Sequence, residues 1–402
     1  MLKFIHTSDW QIGMPFLFLR EESRKAMEKA RLDAITNIAK IAKDPSFAID
    51  FVLICGDIVD TPRISDSSVR QLMREIKGIE KNVYFLAGNH EWKGSEYLFE
   101  NEHFKEMLPS NVTILKQGAN LTNVEGVEII AAPLEGKHAS VDVLKSVLAQ
   151  LEPSKSTRIV AAHGSLSSFI SVDTDDEKLD FSSISAALQK KFISYVALGD
   201  RHSTTSVDNR GRLLPFAGKT NSEILPIYYS GSHESTDYDE LDPGNVLIVE
   251  IDDSGMTRVE KIHVGAWNLV EGSTLQNPTE LRSGSDLDAL ELFIEKLTNP
   301  RQTAVKIYLD SELLLDDDMR RIELFRQWHE ELLAGFDVSD NVNMPKPRIT
   351  VDPMDFEIPK NLKGYVRETY QELRESAIGT DVESKVAYEA FSLLVSLLGS
   401  RR

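Results

Sequence analysis

Residues that commonly bind metals recur at one kind of position in this sequence, directly after short apolar runs. The residues at these positions are Asp9, Asp57, Asn89, His163, Asp200 and His202. Each run has the length of a β-strand, and ligands of open α/β sheets bind beyond the carboxyl ends of the strands. Carboxylate, amide oxygen and imidazole groups together suit a divalent metal such as Mn²⁺ or Fe²⁺. The pattern therefore predicts a metal centre built from several strand ends.

Each of these residues alone has a simpler interpretation. An Asp or Asn after a strand often caps the following helix, and a lone histidine such as His163 can be a hydrogen-bonded core residue. Capping does not readily produce the whole ordered series, so the series favours metal binding. Gly56, Gly88 and Gly199 each precede a candidate ligand. We interpret these glycines as positions where the chain turns sharply and the backbone approaches a phosphate.

The apolar runs and the segments between them predict the elements that position the site. Predicted strands are Leu2–Ile5, Phe51–Cys55, Val83–Leu86, Val127–Ala131, Ile159–Ala162, Tyr195–Leu198 and Val246–Ile251. Predicted helices are Glu22–Lys43, Ser68–Ile79 and Asp142–Leu151. Continuous apolar runs indicate strands that are covered on both faces, and alternating strands and helices indicate layers. We therefore predict a layered α/β domain over residues 1–266.

The pattern changes after about residue 266 and predicts a smaller α/β domain over residues 267–402. Its predicted elements are the helices Asp286–Leu297, Leu315–Leu333, Leu362–Ser376 and Val382–Leu398, the strand Ala304–Leu309, and the irregular stretch Asn341–Pro359. Two helix starts resemble capping boxes, with Ser285 paired to Asp288 and Thr380 paired to Glu383.

Composition limits the class of protein. At 402 residues the chain is too long for one ordinary core. No apolar run approaches the roughly 20 residues that span a bilayer, and the first residues lack a signal-peptide pattern. The single cysteine, Cys55, fits a reducing compartment. We predict a cytoplasmic protein without membrane contact. The net charge of −19 argues against tight independent binding of nucleic acid, unless metals, a local basic patch or a partner compensates.

The ordered motifs resemble those of the calcineurin-like metallophosphoesterases, and within them the SbcD-type DNA repair exonucleases. The matching segments are Asp9-Trp10-Gln11, Gly56-Asp57-Ile58-Val59-Asp60, Gly88-Asn89-His90-Glu91, His163 and Gly199-Asp200-Arg201-His202. The SbcD-like segments are His6-Thr7-Ser8-Asp9, Tyr229-Ser230-Gly231-Ser232 and Asp237-Tyr238-Asp239-Glu240. The resemblance covers the chain up to about residue 265. It implies a metallophosphoesterase β-sandwich flanked by helices, with the smaller C-terminal α/β domain as a capping domain.

The resemblance also implies the site. One metal would be held by Asp9, Gln11, Asp57 and His202, and the other by Asp57, Asn89, His163 and Asp200, with Asp57 bridging the two. His90 would be catalytic, and Asp60 or Glu91 would orient a ligand. Gln11 and Asp200 replace histidines of the family pattern. Because this exchange makes the site richer in oxygen, we expect Mn²⁺, with Mg²⁺ or Fe²⁺ as alternatives, rather than Zn²⁺.

The resemblance implies hydrolysis of phosphodiesters by a metal-activated water. The expected protein is a DNA exo/endonuclease subunit that pairs with an SMC-like (AAA) ATPase and forms a homodimer. Its dimer seam would come from Leu72, Ile76, Leu98, Phe104 and Met107, although these residues could equally be ordinary core. Two alternatives stay open. The acidic charge slightly favours a small-molecule phosphodiesterase or phosphatase, and the two ligand exchanges are compatible with a catalytically weakened scaffold.

Overall fold

The computed structural model describes residues 1–134, 136, 142–167, 178–271, 280–339, 348–350, 363–379 and 381–399. The chain forms two compact units. The first comprises Met1–Leu17 and Glu21–Asn268, and the second comprises Phe18–Arg20 and Leu269–Arg402. The boundary expected after residue 266 lies next to this division. Among the described residues, no helix combines the length and the apolar character that crossing a bilayer would require.

The first unit alternates strands and helices along most of its length. Its strands are β1 (Leu2–Thr7), β2 (Phe51–Cys55), β3 (Asn82–Leu86), β4 (Trp92–Lys93), β5 (Glu96–Tyr97), β6 (Val112–Ile114), β7 (Gly118–Leu121), β8 (Val127–Ala132), β9 (Thr157–His163), β10 (Ser165–Leu166), β11 (Lys178–Leu179), β12 (Tyr195–Gly199), β13 (Thr205–Asp208), β14 (Leu213–Pro215), β15 (Ile224–Tyr229), β16 (Asn245–Ile251) and β17 (Thr257–His263). Its helices are α1 (Glu21–Lys43), α2 (Asp66–Lys77), α3 (Glu102–Met107), α4 (Val143–Ala149) and α5 (Phe181–Gln189).

Two large sheets carry the first unit. One has the strand order β17-β16-β1-β2-β3-β6, and the other has the order β14-β13-β15-β12-β9-β8-β7. Strands β1, β2, β3 and β6 run parallel in the first sheet, and β8, β9, β12 and β15 run parallel in the second. Parallel neighbours bring their carboxyl ends to one edge of each sheet, where the candidate ligands follow.

Apolar side chains on both faces of the strands join these layers. In β2, Phe51 and Leu53 pack into the core between the two sheets, whereas Val52 and Ile54 pack toward the helices α1 and α2. The outer face of the second sheet packs against α4 and α5. Each central strand is therefore buried on both faces, which confirms the layered α/β prediction and explains the uninterrupted apolar runs.

The residues predicted to form a dimer seam lie in this core. Leu72, Ile76, Leu98 and Phe104 are at most 3% exposed and belong to the cluster between the first sheet and its helices, and Met107 packs against that cluster. The assignment of these side chains to a dimer seam is wrong, because packing within the chain already covers them. Homodimer formation itself stays a prediction.

The second unit is a smaller α/β body with its own core. Its strands are β18 (Asn268–Glu271), β19 (Glu280–Leu281), β20 (Thr303–Tyr308), β21 (Asp310–Leu314), β22 (Gly335–Ser339) and β23 (Arg348–Thr350). Its helices are α6 (Gly284–Glu295), α7 (Leu315–Gln327), α8 (Gly364–Ser376) and α9 (Val382–Gly399). A π-helical turn over Trp328–Leu332 continues α7. Side chains of α6, β20 and α7 meet in a core around Leu287, Val305 and Trp328.

Two details of the second unit differ from the sequence prediction. Helix α6 begins two residues earlier than expected, with Ser283 at the N-cap, and the Asp286 carboxylate accepts the N–H of Ser283 at 2.9 Å. Asp288 instead pairs with Arg320 on α7 at 2.6 Å. Strand β23 falls within the stretch expected to be irregular. Thr380, the expected cap of the last helix, lies outside the described residues.

Candidate metal centre

The predicted ligands converge from five strand ends of the first unit. Asp9, Asp57 and Asn89 follow β1, β2 and β3 of the first sheet, His163 ends β9, and Asp200 follows β12 of the second sheet. Asp9, Asp57 and His163 are all buried, and each offers a ligand atom within 4.8 Å of the others. The two sheets of the sandwich therefore both contribute to one cluster.

The backbone turns at several of these positions in a conformation that L-residues rarely adopt. The φ angles are 53° at Asp9, 41° at Gln11, 53° at Asp57 and 96° at Asp200. Each such residue costs roughly 1–3 kcal/mol, and surrounding structure must hold it in place. Two amides help, because Asp9 N–H donates to Gly56 O at 3.1 Å and Gln11 N–H donates to Asp57 O at 2.8 Å. Strained backbone conformations therefore occur at the strand ends, at the residues that are candidate metal ligands.

The glycines before the ligands make room for the imidazole of His163. A Cβ at Gly56 would overlap the ring, and a Cβ at Gly199 would lie 2.7 Å from His163 Nδ1 and overlap the carbonyl of Cys55. A Cβ at Gly88 would lie 3.0 Å from His163 Cε1 and overlap the Asp57 carboxylate. The sequence suggested that these glycines let the backbone approach a phosphate. In the structure these glycines instead let the backbone approach the imidazole of His163.

His163 is oriented as a metal ligand would be. Its Nδ1–H donates to the carbonyl of Cys55 at 2.8 Å, which leaves the Nε2 lone pair directed toward Asp57 Oδ2 at 3.4 Å. Burial alone would lower the pKa of His163, but Asp57, Asp9 and Asp200 raise it well above its usual value. A position that attracts a proton this strongly attracts positive charge in general, and a divalent cation competes for the same lone pair.

The amide of Asn89 completes a cluster of electron-rich atoms. One terminal atom of this amide lies 3.0 Å from His163 Nε2 and 3.2 Å from both carboxylate oxygens of Asp57. With nitrogen at that position, the amide donates hydrogen bonds to its neighbours. With oxygen at that position, the amide oxygen, the lone pair of His163 Nε2 and the Asp57 carboxylate face one another without a hydrogen between them. A cation bound by all three would stabilise this arrangement. These donor atoms fit a divalent metal.

Asp200 lies beside Asp9 and His163. Its N–H donates to Asp9 Oδ1 at 3.1 Å, and its Oδ2 accepts a hydrogen bond from Ser165 at 2.7 Å. The other carboxylate oxygen, Oδ1, lies 4.0 Å from His163 Nε2. This residue, which stands where the family pattern has a histidine, therefore places a charged oxygen next to the cluster.

His202 and Gln11 meet on another side of the centre. Gln11 Nε2 lies 3.0 Å from His202 Nε2, and His202 Nδ1 lies 2.9 Å from Glu240 Oε1 and 2.6 Å from Thr236 Oγ1. Burial alone would lower the pKa of His202, but the hydrogen bond to Glu240 and the charge of Asp9 raise it to about 9. A carboxylate behind a histidine fixes the ring and makes it a better ligand.

Glu240 and Thr236 were not predicted to support the site. Glu240 stands in one of the SbcD-like segments, so the sequence contained a signal for its importance but none for its partner. The partner, His202, is 38 positions away in the chain.

His90 lies next to Asp57 and is more exposed than the buried cluster of Asp9, Asp57 and His163. Its Nδ1–H donates to the backbone carbonyl of Asp60 at 2.7 Å, and its Nε2 lies 3.9 Å from Asp57 Oδ2. The side chain of His90 is 30% exposed, whereas that of Asp57 is 4% exposed. Asp60 therefore orients His90 through its main-chain carbonyl, and its carboxylate Oδ1 lies 4.0 Å from the same ring nitrogen, Nδ1.

The Glu91 side chain joins the loop after β2 to the loop after β3. The fully buried carboxylate accepts N–H groups from Gly88 at 2.7 Å, Asp57 at 3.0 Å, Ile58 at 2.8 Å and Val59 at 3.3 Å. Burial and the nearby Asp57 raise the pKa of Glu91 to about 7. Its role is to fix the backbone on which Asp57 stands.

The sequence of the first unit matches a known family. A family model described as "Calcineurin-like phosphoesterase" matches residues 2–204, half of the chain, including every candidate ligand from Asp9 to His202. The chain belongs to the calcineurin-like phosphoesterase family. Membership implies metal-dependent hydrolysis of phosphoesters, and the cluster of Asp9, Asp57 and His163 is a possible metal site for that chemistry.

Two solved structures resemble this calcineurin-like phosphoesterase at low sequence identity. The protein TT1561 of Thermus thermophilus is 12% identical with a TM-score of 0.39, over 65% of this chain and 99% of that protein. The purple acid phosphatase PPD1 from yellow lupin (Lupinus luteus) seeds is 13% identical with a TM-score of 0.39, over 65% of this chain and 51% of that protein.

Proposed function

We propose that this phosphoesterase is a two-metal phosphodiesterase and the DNA exo/endonuclease subunit of an SbcCD-like repair complex. The observation that carries the proposal is the convergence of ligand atoms around Asp9 and Asp57. His163 and Asn89 approach one side, whereas Gln11 and His202 meet elsewhere in the same centre. A bridging carboxylate between two sets of donors is the arrangement that a pair of divalent metals requires.

The SbcD-like segments support the assignment as a DNA nuclease because their residues form hydrogen bonds to residues of this centre. In the segment over residues 229–232, Ser230 Oγ lies 2.8 Å from Ser8 Oγ, which in turn donates to Asp9 Oδ2 at 2.5 Å. Ser232 N–H donates to His202 O at 2.9 Å. The segment therefore contacts the residues around both Asp9 and His202. We propose that the second unit is the capping domain of such a nuclease.

The mechanism assigns distinct tasks to the chain's own residues. Asp9, Gln11, Asp57 and His202 would hold one metal, and Asp57, Asn89, His163 and Asp200 would hold the other. Metals bound there would lower the pKa of a water and neutralise charge on a phosphate. His90 would stabilise developing charge on the phosphate or give a proton to the leaving oxygen. The hydrogen bond from its Nδ1–H to the Asp60 carbonyl keeps Nε2 directed at the centre.

The donor set favours Mn²⁺, with Mg²⁺ or Fe²⁺ as alternatives. Gln11 and Asp200 would contribute oxygens to bound metals where the family pattern has imidazole nitrogens, and oxygen-rich sites suit these harder ions. The overall charge of −19 means that much of the attraction for DNA must come from the metals and from a partner. We propose an SMC-like ATPase as that partner, a homodimeric assembly and a cytoplasmic location.

The proposal is tested by offering the purified protein, with Mn²⁺, single- and double-stranded DNA beside a bis-aryl phosphodiester. We expect cleavage of DNA, and we expect Asp57→Asn to abolish it because the substitution removes the bridging charge. Full activity of this variant at matched metal content would contradict the assignment of Asp57.

The same assay separates the alternatives. Cleavage of the aryl ester alone would support a small-molecule phosphodiesterase or phosphatase, which the acidic charge favours. No cleavage of either substrate, together with no bound metal, would support a scaffold whose centre has been weakened by Gln11 and Asp200.

A further inference from the structure

Arg31 is a buried arginine that joins two loops behind the metal centre. It lies on α1, is 1% exposed, and directs its guanidinium to main-chain carbonyls. Nε and Nη2 donate to Trp10 O at 3.0 and 2.5 Å, and Nη1 donates to Ser235 O at 3.0 Å and to Glu234 O at 3.4 Å. One planar group therefore contacts the loop after β1 and the loop after β15 at once.

The first of these loops carries Asp9 and Gln11 on either side of Trp10. Both flanking residues have left-handed backbone angles, 53° and 41°, so the peptide between them is held in a strained turn. Trp10 is fully buried, and leaving its carbonyl without a donor would cost about 1–3 kcal/mol. The two N–H groups of Arg31 satisfy that carbonyl and so hold the turn from which both side chains project.

The second loop leads from Ser235 to the support of His202. The next residue, Thr236, donates its N–H to Glu240 Oε2 at 2.9 Å, and its Oγ1 lies 2.6 Å from His202 Nδ1. Because His202 Nε2 also lies 3.0 Å from Gln11 Nε2, the contacts form a closed ring. The ring runs from Arg31 through Ser235 and Thr236 to His202, and then back to Arg31 through Gln11 and Trp10.

The other half of the centre does not use this ring. His163 is fixed by the carbonyl of Cys55 and by three glycines, and the Glu91 carboxylate holds the backbone of Asp57. These supports come from strand ends and from the loop after β3. Apart from the main-chain hydrogen bonds by which Asp9 and Gln11 contact Gly56 and Asp57, the two halves of the centre therefore have different supports.

We propose that Arg31 is a positioning residue for the Gln11–His202 half of the metal centre alone. The inference rests on the proposed function, because it requires that the centre binds metal at both halves. Lysine would not replace Arg31, since one ammonium group lacks the planar fork that reaches two carbonyls in different directions. Burial lowers the pKa of Arg31 to about 10, so the side chain is cationic at neutral pH.

The test is a calorimetric titration of the purified chain with Mn²⁺ in the absence of DNA. Asn89→Ala and His202→Ala identify which class of binding belongs to which half. We expect Arg31→Lys to weaken the class that His202→Ala removes by about 10- to 100-fold, as loss of a ligand's supporting contact typically does. The class that Asn89→Ala removes should change by no more than about twofold.

A core variant separates positioning from general destabilisation. Ile38 lies on α1 in the core, and Ile38→Ala should lower stability by roughly 2–5 kcal/mol without moving either binding class. If Arg31→Lys does not fold, Thr236→Val tests the same ring and should weaken the same class. Equal weakening of both classes, or of neither, would overturn the inference and leave the proposed function standing. Absence of Mn²⁺ binding by the unmodified chain would overturn both.

Discussion

The imidazole of His163 is enclosed so tightly that a side chain at any of the three glycines around it would force neighbouring atoms to shift. We expect Gly199→Ala to lower the free energy of unfolding by about 1–3 kcal/mol, because the new methyl group would overlap the Cys55 carbonyl and press on His163. Gly364→Ala is the matched control, since a Cβ there meets nothing within 4 Å. Urea unfolding measures both variants. Equal stability of the two would contradict the enclosure.

His6 should make stability depend on pH, although it is not a ligand. Its Nε2–H donates to Leu198 O at 3.2 Å, and burial lowers its pKa to about 3. In the unfolded chain the pKa of His6 is about 6.5. Below that pH the unfolded state therefore binds a proton that the folded state does not bind until the pH approaches 3. Stability should therefore fall as pH drops from about 6.5 toward 3, by about 1.4 kcal/mol per pH unit from this residue.

The measurement for His6 is urea unfolding of the unmodified chain and of His6→Gln at pH 7, 6 and 5. Glutamine does not titrate, so the variant should lose about 2 kcal/mol less between pH 7 and 5. The comparison of slopes removes the contribution of every other titrating group. Parallel pH profiles would show that folding does not lower the pKa of His6, which would contradict the prediction.

Residue types at strand ends could be predicted from the sequence, but their supports could not. The positions of Asp9 and His163 follow from local patterns, because each directly ends or follows an apolar strand. Arg31 and Ser235 are 204 positions apart, and nothing in either segment indicates the other. An arginine in the middle of a helix is most often exposed, so only the fold reveals that this one is buried.

At the scale of elements, the strands that the sequence predicted are those buried on both faces. Strand β2 was predicted with its full bounds because every residue in it is buried. Strand β17 was missed, since its residues alternate between buried and exposed over much of its length and its apolar run is interrupted. Strand β14 is short and half-exposed at a sheet edge. Edge strands carry a weaker signal than central ones because only one face needs apolar residues.

The start of α6 provides a test at this scale. We expect Asp286→Ala to destabilise the helix by about 0.5–2 kcal/mol, because its carboxylate accepts the N–H groups of Arg282 at 2.8 Å and Ser283 at 2.9 Å. Asp288→Ala removes a partly exposed ion pair and should cost about 0–1 kcal/mol. Hydrogen exchange of the α6 amides measures both. A larger effect of Asp288→Ala would instead support the predicted helix start, in which Ser285 pairs with Asp288.

At the scale of the whole molecule, metal should hold the two sheets together. Asp9 and Asp57 follow strands of one sheet, and His163 ends a strand of the other. A metal that binds only the folded chain stabilises it by about 2.7 kcal/mol at 100 times its dissociation constant. We expect Mn²⁺ to raise the melting temperature, a chelator to reverse the rise, and Asp57→Asn to remove it. An unchanged melting temperature at saturating Mn²⁺ would contradict a site shared by the sheets.

The place of β1 in the first sheet sets the order in which the first unit can be built during synthesis. The first strand of the chain lies between β2 and β16, and its partner in β16 ends at Ile251. On a ribosome that adds roughly 5–20 residues per second, β1 therefore waits about 10–50 s for its second neighbour. During that interval one edge of a buried strand is unpaired. Nascent chains shorter than about 250 residues should thus be the ones that need a chaperone.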